Sequence, residues 1–315
     1  MSFTKREISF PSSDGIHTVR GYIYEPVNTA PVGVVQISHG MIDHVERYEV
    51  LADYLCERGY VVAGNDHLGH GNTAKANPED YGFFADEGGV ELLLSDLKSM
   101  NAILKEQFPA LDVVLMGHSM GSFLSRLYAI RYPESISGHI IHGTGGPMGI
   151  ILPLGKLLVK CNSLIKGKRN RSGFITAVAF GGYNAKYPKE QGHNAWLTRD
   201  IDRVSTRDTD EFTSFTFTSS AYYDLFSMIG EANSGDWFKK YPKGLKTFIM
   251  AGDMDPVGNY GKGPSCVYER LVKEGCSRLE IKLYPDARHE LFNELTECRL
   301  EAFGDIEQWL GTVVS

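Results

Sequence analysis

Val113-Val114-Leu115-Met116-Gly117-His118-Ser119-Met120-Gly121-Ser122-Phe123-Leu124 is the stretch that decides the fold. The apolar run Val113 to Met116 reads as a buried strand, and Phe123 to Ile130 reads as a helix. Between them lies Gly-x-Ser-x-Gly, the sharp strand-to-helix turn that lifts a serine above a sheet edge. Glycines on either side of Ser119 leave room for strand and helix to cross closely, and the helix N-terminus favours developing negative charge. Ser119 is the candidate nucleophile; the bland reading is a plain glycine-rich turn.

The chain has 315 residues, 42% hydrophobic and 23% charged, which is ordinary for a globular protein with one large core or two modest ones. A net charge of −7 argues against nucleic acid as the main partner. The first residues, Met1 to Glu7, lack the apolar segment of a signal peptide. The best apolar run, Gly149 to Ile165, is interrupted by Lys156 and Lys160 and is too broken to span a bilayer. Five cysteines with no Cys-x-x-Cys pair read as reduced thiols in a cytoplasmic protein.

Outward from the serine, strands and helices alternate as in a mostly parallel sheet with helices on both faces. Strands are expected at His17–Glu25, Val32–Ser38, Tyr60–Gly64 and Ile136–His142, with helices at Tyr48–Cys56 and Gly89–Phe108. From about Gly143 to Ser220 the regularity lapses; it resumes with strands Leu245–Ala251 and Leu279–Tyr284 and helices Tyr260–Glu274 and Leu295–Leu310. The expectation is a core of residues 1–144 and 221–315, with a cap inserted at 145–220 over the carboxyl ends of the strands.

A serine hydroxyl needs a base, and the base needs a third group to hold its tautomer. In the chain order serine, acid, histidine, the acid follows a late strand, where Gly252-Asp253-Met254-Asp255-Pro256 offers two aspartates. Asp255, deeper in the turn, is preferred; Asp253 is expected to bond turn amides. His289, in the loop after Leu279–Tyr284, is the only histidine beyond His193 and so the expected base. The oxyanion requires backbone donors, expected at Met120, after the serine, and at Met41, in the Ser38-His39-Gly40-Met41 loop.

Together these residues resemble the lysophospholipase and monoacylglycerol lipase group of α/β-hydrolases, bacterial type, over nearly the whole chain. Ser38-His39-Gly40 with Asp43-His44 and Arg47-Tyr48 is similar to the family's oxyanion loop. Asp66-His67-Leu68-Gly69-His70-Gly71, the Gly117–Gly121 elbow, Gly252-Asp253-Met254-Asp255, Arg288-His289-Glu290 and the cap segment Trp196–Asp200 also fit its pattern. Phe292 stands where animal monoacylglycerol lipases carry a second histidine near the leaving group, and Asp43 replaces their glutamate. The resemblance implies an α/β-hydrolase fold and hydrolysis of esters with apolar or lipid-like acyl groups through an acyl-enzyme. It implies catalytic Ser119, Asp255 and His289, an oxyanion hole at Met41 and Met120, and substrate contacts from His39, His118 and Phe292. No cofactor is expected; the partner is a small-molecule ester or lipid.

Other patterns bear on this reading. His39, His44, His67 and His70 invite a metal site but lack a helix and carboxylate set to align them, so no metal is expected. Lys156, Lys160, Lys166, Lys168, Arg169 and Arg171 give the early cap a basic edge among apolar residues, which suggests transient contact with a membrane surface; the bland reading is a solvated face. Aromatic residues from Phe180 to Phe226 pack the later cap or line an acyl pocket. A serine peptidase, a thioesterase or haloperoxidase, and a non-catalytic ligand-binding relative are the alternatives.

Overall fold

A computed structural model describes residues 2–314; Met1 and Ser315, the outer ends of the two expected core segments, lie outside the described residues. In chain order the strands are β1 (Phe3–Pro11), β2 (Thr18–Pro26), β3 (Gly33–Ser38), β4 (Tyr60–Asn65), β5 (Val113–His118), β6 (Gly138–His142), β7 (Lys246–Gly252) and β8 (Leu279–Tyr284). The helices are α1 (Glu49–Cys56), α2 (Gly71–Lys75), α3 (Gly89–Gln107), α4 (Met120–Arg131), α5 (Ile151–Lys166), α6 (Gly173–Phe180), α7 (Ile201–Thr209), α8 (Ser219–Ala232), α9 (Gly235–Lys240), α10 (Lys262–Lys273) and α11 (Thr296–Val313).

All eight strands form one sheet in the order β1-β2-β4-β3-β5-β6-β7-β8. The pairings β1–β2 and β2–β4 are antiparallel and the other five are parallel, as an α/β-hydrolase sheet requires. Strands β3, β4, β5 and β6 are buried along their whole length, which demands helices on both faces. Leu51 and Leu55 of α1 and Phe303, Ile306 and Leu310 of α11 cover one face. Leu93 and Leu97 of α3, Leu124 and Leu127 of α4, and Leu271 of α10 belong to the core on the other. Each such side chain contributes about 1.5–3 kcal/mol by leaving water.

β1 is the strand that alternation in the sequence does not mark. It is an edge strand that leaves Thr4, Lys5, Arg6 and Glu7 exposed, so it lacks the apolar run that betrays β3 or β5.

The strand order turns between β3 and β5: the chain leaves β3 for β4 on one side and returns past it to β5 on the other. The crevice at such a switch point opens at the carboxyl ends of the strands. Ser38 pairs with Gly117, so the loops after β3 and β5 leave the sheet side by side. Residues 143–245, between β6 and β7, contain α5 to α9, and residue 220 falls in the first turn of α8. That helix packs against α5 and also against α3 and α4.

The closeness of the β5–α4 turn leaves no space for side chains. A Cβ on Gly121 would stand 2.0 Å from the Ser38 carbonyl oxygen, and one on Gly117 would stand 2.2 Å from Ser125 Oγ. Neither obstacle at Gly121 is a movable side-chain tip; both the Ser38 and His39 carbonyls are backbone. Gly121→Ala should therefore lower stability by about 3 kcal/mol or more. Urea unfolding measures it, and a midpoint matching the unaltered chain would contradict this crossing.

Candidate active site

Ser119 sits at φ 53° and ψ −118°, a conformation that a non-glycine residue holds only when its surroundings enforce it. Its N–H donates to the His142 carbonyl at 3.0 Å, and its own carbonyl accepts from Ser122 N and Ser122 Oγ at 2.9 and 2.6 Å. These bonds clamp the turn from both sides and leave Ser119 on the wall of a cavity.

His289 shares that cavity. Its Nδ1 lies 2.9 Å from Asp255 Oδ2, and both side chains are buried. The second oxygen, Asp255 Oδ1, accepts from Val257 N at 2.8 Å. Of the two aspartates left by the sequence, Asp255 is the one bonded to the imidazole. Asp253 instead has its N–H on the Tyr284 carbonyl, and among the described residues its buried Oδ1 has no hydrogen-bond partner. The histidine loop is also held from above: Glu290 N donates to Leu197 O at 2.7 Å, and Arg288 donates to the carbonyls of Ala195 and Thr198.

In the loop after β3, neighbouring amides are committed. Gly40 N donates to Asp43 Oδ2 and Ile42 N to His70 Nε2. Met41 N–H, between them, makes no hydrogen bond among the described residues. Met120 N–H is the first donor of α4, with no carbonyl four residues back inside the helix. Both residues line the cavity with Ser119.

Of the three expected substrate contacts, only His118 lines the cavity. The structure places the other two away from its wall. His39 is fully buried beneath the loop, its Nδ1 on the Gly40 carbonyl and its Nε2 accepting from His67 N. Phe292 packs against His142 and Tyr48 behind the site. Rings of Trp196, His289, His118, His142 and Phe292 form a continuous column, with centroids 4.3 to 5.1 Å apart. Burial pushes His118 and His142 well below the usual imidazole range and keeps them neutral beside the base. Burial likewise lowers His39 and His70 to about 3, and these rings bond loop backbone.

The cavity has a volume of about 510 Å³. Phe123, Phe180, Leu225, Ile229 and Val257 form its apolar walls. Phe180, Tyr183, Leu225 and Ile229 also line an adjoining apolar cavity of about 290 Å³ beneath α5. The polar wall of the larger cavity, which holds Ser119, carries Asp43, Arg207, Asp208 and Glu290.

That polar wall includes groups to which sequence reasoning gave no role. Asp43 accepts from Gly40 N, His44 N, Tyr48 Oη and Arg47 Nη1, and Arg47 Nη2 donates to Glu290 at 2.6 Å. One arginine thus joins the loop after β3 to the residue following His289. Burial raises the Asp43 and Glu290 carboxyls, but Arg47 outweighs it and holds both below their usual range, Asp43 well below. Arg47 and Glu290 stand in motifs visible in the sequence; their pairing across 243 positions is not.

The sequence profile of the family described as Serine aminopeptidase, S33, matches residues 29–296. The monoacylglycerol lipase of Mycolicibacterium smegmatis is 28% identical, covering 98% of both chains. The monoglyceride lipase homolog of monkeypox virus is 27% identical over 92% of this chain and 94% of its own length. Among solved structures, a thermostable carboxyl esterase from Bacillus coagulans, crystallised with glycerol, is 31% identical over 99% of both chains, with a TM-score of 0.91.

Removing Arg47 tests the buried ion network. Because the folded carboxyls lie below their unfolded values, their stabilisation is present above about pH 4 and lost on acidification through the folded values. Arg47→Met leaves Asp43 and Glu290 buried without their cation, which raises both. The variant should lose about 3–5 kcal/mol at neutral pH, and the deficit should narrow towards pH 5. Urea unfolding across that range checks it; a deficit independent of pH would refute the network.

Proposed function

The chain belongs to the α/β-hydrolase family described as Serine aminopeptidase, S33, and is a carboxylic ester hydrolase of lipase type; on that premise we propose that Ser119, His289 and Asp255 cleave esters of apolar or lipid-like acyl groups. The observation that carries the reading is that His289, held by the buried Asp255, faces the same apolar-walled cavity as Ser119.

Ser119 Oγ attacks the ester carbonyl while His289 Nε2 takes its proton. Asp255 keeps the Nδ1–H tautomer and stabilises the imidazolium. The Met41 and Met120 N–H groups hold the oxyanion. Collapse expels the alcohol, which takes the proton back from His289, and leaves an acyl-serine. Water, deprotonated by the same histidine, then releases the acid and restores Ser119. Every step uses side chains and backbone amides already described, and water.

In this reading residues 145–220 act as a cap. Ion pairs and hydrogen bonds support it: His44 to Asp210, Arg199 to Glu294 and Arg169 to Asp80 join the segment to the core. Transient membrane contact falls to α5 and the residue before it, where Ile150, Ile151, Leu154, Leu157, Leu164 and Ile165 are exposed. The basic edge contributes less than its sequence suggests, because Lys168, Arg169 and Arg171 bond Glu87, Asp80 and the carbonyls of Glu79 and Tyr81. Among the described residues no helix is long and apolar enough to cross a membrane. The five cysteines are all free, which supports the cytoplasm as its place.

A p-nitrophenyl ester series from acetate to palmitate tests the function. The expected result is an optimum at medium or long chains, reduced roughly a million-fold in Ser119→Ala. A fluorophosphonate should label the unaltered enzyme and not the variant. Activity confined to acetate would contradict the lipid-like acyl group, and cleavage of aminoacyl p-nitroanilides without ester turnover would favour a peptidase.

A further inference from the structure

In the reaction proposed above His289 becomes a cation, and it does so out of water: its side chain is 2% exposed and that of Asp255 is fully buried. Stabilisation of that charge therefore falls to the few groups in contact with the ring. Asp255 meets its edge at Nδ1. Among the described residues the ring's aromatic neighbours are His118, with centroids 4.8 Å apart, and Trp196, at 5.1 Å. His118 is held neutral by burial. Trp196 comes from the segment between β6 and β7, not from the loops that carry the triad. Its ring plane is tilted 37° from that of His289, so the two rings present faces rather than edges. The indole is also fixed in place. Trp196 O accepts from His289 N, Trp196 N donates to Asn184 Oδ1 at 3.0 Å, and the Tyr183 ring packs against the indole at 69°.

We propose that Trp196 is a positioning residue for the base, its indole face stabilising the His289 imidazolium that forms as Ser119 attacks. The proposal rests on the triad reading above and deepens it. An indole face attracts a cation lying within about 6 Å of its centroid, more strongly than the other aromatic side chains do. A neutral imidazole gains much less. The contact therefore strengthens between ground state and transition state, which is the condition for an interaction to raise the rate. The segment over the cavity thereby completes the base as well as covering it. The bland reading, an indole that only shields His289 from water, has the opposite sign: its removal would hydrate the imidazolium and favour it. The other groups around the base are Asp255, His118 and His142, with Asp43, Glu290, Arg207 and Asp208 on the cavity wall. They are the same with and without the indole.

The test is the pH dependence of kcat/KM on p-nitrophenyl decanoate, which reports the base in the free enzyme. His289 must be neutral to take the serine proton, so activity falls on the acid side. In Trp196→Leu the imidazolium loses its support. The midpoint of the acid limb should move to lower pH by about half a unit, and the plateau should fall about threefold. Trp196→Phe should recover part of both. Thermal unfolding establishes that each variant is folded. A second readout needs neither turnover nor loss of the indole, because an imidazolium quenches a neighbouring indole. Emission of Ser119→Ala should fall on acidification; in that background the step should survive His193→Gln and vanish in Trp196→Phe. An acid limb that stays in place or moves to higher pH in folded Trp196→Leu overturns the proposal while leaving ester hydrolysis intact. So does emission that is flat with pH, or a step that persists without Trp196. An unaltered protein that neither turns over the ester nor takes a fluorophosphonate label overturns the triad reading, and this proposal falls with it.

Discussion

The contact of Gly121 with the Ser38 carbonyl is the constraint on which the site depends. It requires β5 to pass into α4 with its turn pressed against the end of β3. Sheet register brings Ser38 opposite Gly117, and the turn then has one course, over the neighbouring strand end. Ser119 is forced to positive φ as a result, and the loop carrying Gly40 and Met41 is forced to lie beside it. Nucleophile and oxyanion donors therefore come from one packing event, and the strain at Ser119 is offset by the burial around it.

A second level of order is electrostatic. Asp43, Arg47 and Glu290 tie the loop after β3 to the loop of His289, and Arg207 brings α7 to the same place. The carboxylates are buried, so each depends on its cation more than a surface pair would. The histidine loop also takes Trp196 and Leu197 carbonyls as partners for its own amides. Acid loop, histidine loop and the 195–198 segment are consequently joined by hydrogen bonds, and α7 meets them at Glu290.

The cavity is two-sided for the same reason. Its apolar walls come from α4, α6 and α8, helices that turn Phe123, Phe180, Leu225 and Ile229 inward. Its polar wall comes from loops and α7, where backbone and charged groups meet. Esters of an apolar acid and a polar alcohol match that division. The exposed apolar face of α5 continues the apolar side out to the surface, next to the adjoining cavity.

The sequence by itself determined the parallel core, the Gly-x-Ser-x-Gly turn and the loops that carry the acid and His289, because these depend on local periodicity and chain order. Buried strands such as β3 and β5 need uninterrupted apolar runs, and those are visible in a single chain; β1 was not, since an edge strand buries little. Which aspartate meets His289 was decided by the fold, as Asp253 and Asp255 differ only in where the turn points them. Tertiary packing also sorted the aromatics: Phe180, Trp196 and Phe215 line the cavity, while Phe217 and Tyr222 lie in the core. His39 and Phe292 matched sequence positions near the site yet lie behind it, bonded or packed elsewhere. The Arg47–Glu290 pair and the place of Arg207 were legible only in the fold. Ion pairs between distant segments leave no period in a sequence, and a charged residue is read as solvated until its partners are seen.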